Sequence, residues 1–247
     1  MPSSTPSPEV PRRNAIDTLR QTLGWTTDAP ILVVAFFVVQ LLDTLGEVTA
    51  AGGLLSLLAF FLGIYVGGIA YVYAASELGV ETDLLVDGGQ VRFGEAAGAV
   101  LERLVPLLGV GILWTIVTVL GLLFFVLPGI YLGARLVLAF PACVLDGQGT
   151  FESLSTSWEV GQGNVAKLVG IFLVLLVVVF AFGIVVVGGG LLVFDGGLEQ
   201  FLASPIVWVG GVAFLVVSAI LNAAVELAIG RVYLENRPGE PSTSVRA

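Results

Sequence analysis

The chain has 247 residues, of which 57% are hydrophobic and only 12% are charged, and its mean hydropathy is +1.01. A water-soluble domain of this length could not bury so much apolar surface, so lipid must be part of its solvent. The net charge is -9 and the sequence has no basic patch, which excludes nucleic acid as a partner. Histidine is absent and cysteine occurs once, so an internal disulfide is excluded and no metal or other cofactor is expected.

Acidic residues outnumber basic residues by 19 to 10, and Lys167 is the single lysine. Dense negative charge is tolerated in concentrated salt, where the screening length falls to about 3 Å at 1 M. The charge balance therefore predicts a halophilic, archaeal source. Codon bias in a GC-rich genome is the alternative explanation.

The N-terminal residues, 1–13, are rich in Ser, Pro and Thr and predict a disordered tail. An amphipathic helix is predicted at 14–24, and similar segments follow at 91–104 and 150–160. Each combines apolar residues at helical spacing with polar residues elsewhere, as in helices that lie at a membrane surface. A solvated helix without lipid contact is the alternative. A second disordered tail is predicted at 234–247.

Six apolar segments are long enough to form membrane spans, which need about 20 residues each. They cover residues 30–45, 53–75, 104–126, 129–145, 168–187 and 205–230. The predicted fold class is therefore all-α: an integral membrane helical bundle with about six transmembrane helices and short interfacial amphipathic helices, in one membrane domain at 14–233. In the second span, the spacing of Gly63 and Gly67 predicts close contact with a neighbouring helix.

Basic residues predict how the spans are oriented. Six spans place both termini on one side, and nine of the ten basic residues then lie on that side. The opposite loops, at about 46–52, 127–128 and 188–204, contain no Lys or Arg. Because positive charge is retained in the cytoplasm, we expect a multi-pass protein of the cell membrane with both termini cytoplasmic.

The most distinctive stretch is 128–167. It begins with Pro128-Gly129-Ile130-Tyr131, carries Arg135 in an apolar run that ends at Asp146-Gly147, and continues with Phe151-Glu152-Ser153-Leu154, Ser157-Trp158 and Gly161-Gln162-Gly163-Asn164. This pattern resembles a broad prokaryotic family of polytopic membrane proteins, which includes the membrane domain fused to some glycerophosphodiester phosphodiesterases and stand-alone members of unknown function. The resemblance implies a six-span helical domain. It does not imply phosphodiesterase activity, which belongs to a separate soluble domain that uses acidic and histidine ligands.

Arg135 is the candidate functional residue of the fourth span. An arginine near mid-span disfavours insertion by about 2.5–3.5 kcal/mol, which nearly cancels the gain from the apolar residues of the span. Arg135 lies opposite a face of small residues, Gly129 and Gly133, and a helix with these two faces needs protein on both sides, so we expect the fourth span to be central in the bundle. Helical spacing places Tyr131 on the same face as Arg135, and depth makes Asp43 or Gln40 the predicted partner. Arg135 either binds an anion or substrate or, alternatively, fixes helix packing or extends to water at the membrane surface.

The third amphipathic segment has Phe151, Leu154 and Trp158 in an apolar stripe at positions i, i+3 and i+7. It is predicted to lie along the cytoplasmic surface or beneath the bundle, with Trp158 at the lipid headgroups. The serines at 153, 155 and 157 have no base positioned to activate them, so they are not expected to be catalytic.

The sequence contains no pattern of catalytic residues, and its carboxylates lie almost entirely in loops or at span ends. We therefore expect a protein that is not an enzyme and that organises the membrane or assists a partner. The alternative is a transporter or lipid-handling protein that uses Arg135. The lipid bilayer is the expected partner, and another membrane protein or a second copy of this chain remains open.

Overall fold

The computed structural model describes residues 10–49, 52–82, 91–193 and 204–237. Most of the two predicted tails, at 1–9 and 238–247, lies outside the described residues. Six helical segments are long and apolar enough to cross a membrane: Pro30–Glu47, Gly52–Leu78, Leu104–Phe124, Val126–Leu145, Val165–Val186 and Val207–Leu234. The prediction of an all-α bundle with six membrane-crossing segments is confirmed.

The helices are numbered here in chain order. Helix α1 covers Ala15–Asp28, α2 Pro30–Val48, α3 Gly52–Leu78, α4 Phe93–Glu102 and α5 Leu104–Phe124. They are followed by α6 Val126–Leu136, α7 Ala139–Leu145, α8 Thr150–Val160, α9 Val165–Val193 and α10 Pro205–Leu234. The amphipathic helices α1, α4 and α8 each precede a pair of spans.

Helix α1 packs against α9 and α10. It begins at an Asn14 cap, whose side-chain oxygen accepts a hydrogen bond from the Asp17 N–H at 2.8 Å. Leu19 and Trp25 are buried, whereas Ile16 is 70% exposed. One side of the helix therefore contacts the bundle and leaves Ile16 on the outside, where a membrane surface can cover it.

Helix α3 packs against both α2 and α10. Small residues permit its close approach to α10: a Cβ added at Gly230 would lie 3.2 Å from the Cβ of Ala74. The predicted close contact at Gly63 and Gly67 does not form between helix backbones. A Cβ at Gly63 would meet Val39 at 3.6 Å, an ordinary contact, whereas α3 has tight sites at Gly52 and Gly68.

The fourth span begins earlier than the sequence indicated. A single extended residue, Phe125, separates α5 from α6, so Pro128 lies in the first turn of α6 and not in a turn between spans. Proline is tolerated there because first-turn N–H groups have no helical acceptor. A Cβ at Gly129 would lie 2.4 Å from the Leu122 nitrogen, so glycine is what allows α5 and α6 to cross so closely.

The fourth span, expected over 129–145, consists of two helices, because the chain breaks between Leu136 and Ala139. Pro141 explains the break: it has no N–H to donate to the Val137 carbonyl, which accepts a 3.3 Å bond from Phe140 instead. Protein covers this irregular backbone, as a membrane requires. In the fourth span 67% of the apolar stretch is buried, and 44% is the next highest share, so its predicted central position agrees with the structure.

Candidate functional site

Arg135 lies in the last turn of α6 and is only 8% exposed. Its Nε and Nη2 atoms donate hydrogen bonds to the carbonyl oxygen of Trp158, at 3.1 and 3.0 Å. Its Nη1 atom donates to the Tyr131 hydroxyl at 2.5 Å. The guanidinium carbon is 3.7 Å from the centroid of the Trp158 ring, which adds a cation–π contact. The guanidinium group of Arg135 thus has hydrogen-bond acceptors from both α6 and α8.

Two further contacts tie α8 to the same point. The Ser157 hydroxyl donates to the Arg135 carbonyl at 2.8 Å, which supplies a donor next to the helix break. A Cβ added at Gly161 would lie 2.7 Å from that same carbonyl oxygen, so the approach requires glycine. We call this set of residues, Tyr131, Arg135, Ser157, Trp158 and Gly161, the α6–α8 latch.

The predicted pairing of Arg135 with Asp43 or Gln40 is not what the structure shows. Among the described residues, the hydrogen-bond partners of Arg135 are Tyr131, as expected, and Trp158. The physical reason is that α8 packs against both α6 and α7, which brings the Trp158 carbonyl to the guanidinium. Helical periodicity could identify Tyr131, but it could not reveal a contact across a helix break.

The predicted apolar stripe of α8 faces outward only in part. Phe151 is 78% and Trp158 44% exposed, whereas Leu154 is half-buried. The side of α8 that contacts the bundle carries Ser153 and Ser157, both fully buried. Their hydroxyls donate to the carbonyls of Gly149 and Arg135, at 2.8 Å each.

A cavity of about 410 Å³ lies inside the bundle, between α2, α3, α5, α9, α10 and the break in the fourth span. Most of its lining is apolar or glycine, and its polar side chains are Gln40, Asp43, Ser56, Tyr71, Trp114, Thr115 and Glu226. Gln40 and Asp43 are therefore brought together with Glu226, and Arg135 is not among the lining residues.

Glu226 is the carboxylate at the inner part of this cavity. The Tyr71 hydroxyl donates to its Oε2 atom at 2.5 Å. A Cβ added at Gly67 would lie 3.4 Å from both that oxygen and the carboxyl carbon, so this glycine leaves room for the carboxylate. The sequence signal for such a site is a carboxylate within an apolar span, which is by default a candidate functional residue. Asp43 was predicted instead, because its depth in the membrane matches that of the Arg135 side chain better.

Trp114 and Phe140 form the aromatic part of the lining beside the helix break. Their ring centroids are 5.8 Å apart in an edge-to-face arrangement. The indole N–H of Trp114 donates to the Gly133 carbonyl at 2.9 Å, which holds the indole in place. Val137, within the break, also lines the cavity. The break held by the α6–α8 latch is thus one wall of the cavity.

Ion pairs gather where α7, α9 and α10 meet, at what we call the basic end. Glu235 lies 2.5 Å from the Lys167 nitrogen and 3.0 Å from Nε of Arg231, and its side chain is 1% exposed. Arg237 pairs with Asp146 at 2.5 Å. These pairs cross-link the ends of three spans on the side where the sequence predicted positive charge.

Six membrane-crossing helices with exposed apolar surfaces define a multi-pass helical membrane protein. Residues 110–238 match the family model for the membrane domain of glycerophosphoryl diester phosphodiesterase. Because this match covers more than half of the 247 residues, the chain belongs to that family. The family relation indicated by 128–167 is confirmed and extends to α10. No curated protein and no solved structure matches the chain.

Proposed function

We propose that this protein binds an amphiphilic molecule of the bilayer in its intramembrane cavity, and so acts as a lipid-handling protein. The observation that carries this proposal is the cavity itself. Its volume of about 410 Å³ lies within the range of ligand sites, about 300–1,000 Å³. A mostly apolar lining with a few convergent polar groups is also typical of such sites.

The length of the cavity suits an extended hydrocarbon chain. Its lining on α3 runs from Ser56 to Tyr71. At 1.5 Å per helical residue these positions are about 22 Å apart along the axis, compared with a hydrocarbon core of about 30 Å. Asp43 and Phe60 line the cavity and are exposed at the bundle surface. A hydrocarbon chain from the bilayer can therefore enter beside the Phe60 ring.

In this proposal Arg135 has a positioning role and does not bind the ligand. Its guanidinium is occupied by Trp158 and Tyr131, and it lies outside the lining. Together with Ser157 it fixes the helix break whose residues Val137 and Phe140 form part of the wall. This geometry favours the packing interpretation of Arg135 over the anion-binding one.

The proposed function involves no chemical step. The Ser153 and Ser157 hydroxyls donate to backbone carbonyls, an arrangement that does not activate a nucleophile. Binding without catalysis is consistent with the mostly apolar cavity lining. We also place both termini and the basic end in the cytoplasm of a cell-membrane protein, because retained positive charge favours that orientation.

Organisation of the membrane or assistance to a partner is a second candidate function, supported by α8. Phe151 and Trp158 are exposed large side chains on a helix whose other side is anchored to the bundle. Such a helix can penetrate the headgroup region of one leaflet. Quenching of Trp158 fluorescence by a water-soluble quencher should then decrease on reconstitution into bilayers. Unchanged quenching would contradict lipid burial.

The cavity proposal is tested by filling the cavity. In Gly63→Leu the new Cβ meets Val39 at an ordinary 3.6 Å, and the rest of the side chain enters the cavity. Gly53→Leu is the matched control on the same helix, where an added Cβ meets nothing within 4 Å. Native mass spectrometry of protein purified from membranes should show bound amphiphile in the wild type and the control, and several-fold less in Gly63→Leu. Equal occupancy in all three would refute the proposal.

A further inference from the structure

The charge in the cavity is of one sign. Glu226 and Asp43 are among the lining residues, and no Lys or Arg is found among the described residues that form the lining. The basic side chains of this region pair with carboxylates at the basic end instead: Lys167 and Arg231 contact Glu235. An anionic headgroup entering the cavity would meet like charge without a compensating cation.

Glu226 is held inside the protein by few polar contacts. Its Oε2 atom accepts one hydrogen bond, from Tyr71, whereas a carboxylate has about four acceptor positions. It precedes Arg231 by five residues on α10, so its backbone lies about 7 Å deeper than that of Arg231. A carboxylate at such depth is unfavourable unless a positive charge or further donors reach it.

Aromatic rings accompany the carboxylate. Tyr71, Trp114, Phe140 and Phe172 belong to the same lining, and the hydrogen bond from Trp114 to Gly133 holds the indole in place. Aromatic faces attract ammonium groups, and quaternary ammonium groups are recognised in this way without hydrogen bonds. An acidic side chain, aromatic rings and an apolar channel therefore occur in one cavity.

We infer that the ligand is a cationic amphiphile, whose ammonium group lies against Glu226 and whose hydrocarbon chain extends along α3 toward Ser56. This inference rests on the proposed function and specifies its ligand class. It assigns Glu226 as the residue that selects the headgroup, with Tyr71 orienting the carboxylate. Anionic amphiphiles, including phosphate monoesters and diesters, are disfavoured by the same charge.

The test uses three probes with the same alkyl chain: dodecyltrimethylammonium, dodecanol and dodecyl phosphate. Binding to the full-length protein is measured in dodecyl maltoside, an uncharged detergent, and corrected for protein-free micelles. The wild type should bind the ammonium probe tightest and the phosphate weakest. Glu226→Gln should weaken ammonium binding by roughly tenfold or more and leave dodecanol unaffected. Glu102→Gln removes an exposed carboxylate outside the cavity and should change neither.

The outcomes separate this inference from the proposed function. If dodecyl phosphate binds the wild type as well as the ammonium probe, the headgroup assignment fails and the cavity proposal stands; this comparison needs no variant to fold. Equal loss of ammonium binding in Glu226→Gln and Glu102→Gln would also overturn the role of Glu226. If no probe binds the wild type more than Gly63→Leu, both proposals fail together.

Discussion

Ser157→Ala is the sharpest test of the α6–α8 latch. The Ser157 side chain is fully buried, and its hydroxyl donates to the Arg135 carbonyl at 2.8 Å. Removing it leaves a buried carbonyl beside the helix break without this donor. Loss of a buried hydrogen-bond partner costs about 1–3 kcal/mol. For a chain of this size, about 2 kcal/mol corresponds to a fall of roughly 4–8 °C in the unfolding midpoint.

The protein contains its own reporter for this measurement. Cys143 is the single cysteine and is 0% exposed in α7, so a thiol-reactive fluorogenic dye labels it only when the bundle opens. Ser155→Ala is the matched control, because Ser155 is an exposed serine on the same helix. Midpoints are compared at one heating rate, since unfolding in detergent is often irreversible. A Ser157→Ala midpoint within 1 °C of the Ser155→Ala midpoint would show that the hydroxyl does not hold α8.

Two further predictions concern the basic end and the orientation. Glu235→Gln should lower the same midpoint more than Ser157→Ala does, because Lys167 and Arg231 both lose a buried partner, a loss of about 3–5 kcal/mol for a buried pair; an unchanged midpoint would contradict the cross-linking role. In intact cells a membrane-impermeant maleimide should label Thr49→Cys, and it should label Glu102→Cys only after permeabilisation, since both positions are exposed. The reverse pattern would invert the proposed orientation.

The α6–α8 latch could be predicted from the sequence only in part. Helical spacing places Tyr131 one turn from Arg135 on the same face, and in the structure its hydroxyl accepts a hydrogen bond from Arg135. Trp158 was found as an outward-facing aromatic residue, but its carbonyl contact with Arg135 was not foreseen. That contact depends on how α8 folds back, and neither the α6 nor the α8 sequence encodes the relation between the two helices by itself.

Helical periodicity could not predict the cavity either, because the cavity depends on which side chains face one another across helices. Gly63 and Gly67 have the spacing of a tight helix contact, yet both line the cavity, and Gly67 leaves room for the Glu226 carboxylate. Small residues allow either close packing or a void, and the choice depends on the side chains that face them. On α3 the tight sites are Gly52 and Gly68, where an added Cβ would lie 2.4 Å from the Gly46 carbonyl oxygen and 2.7 Å from Val100.

The sequence alone determined that this chain is an all-α membrane protein with six spans, because each span must satisfy its backbone hydrogen bonds internally and expose apolar side chains to lipid. Each span meets these requirements with its own residues, so a span can be recognised from its own stretch of sequence. Only the tertiary structure decided that Arg135 is bound by Trp158 and that Glu226 faces a cavity. Such pairings join residues that are distant along the chain, and they depend on how the helices are rotated against one another, which local patterns do not specify.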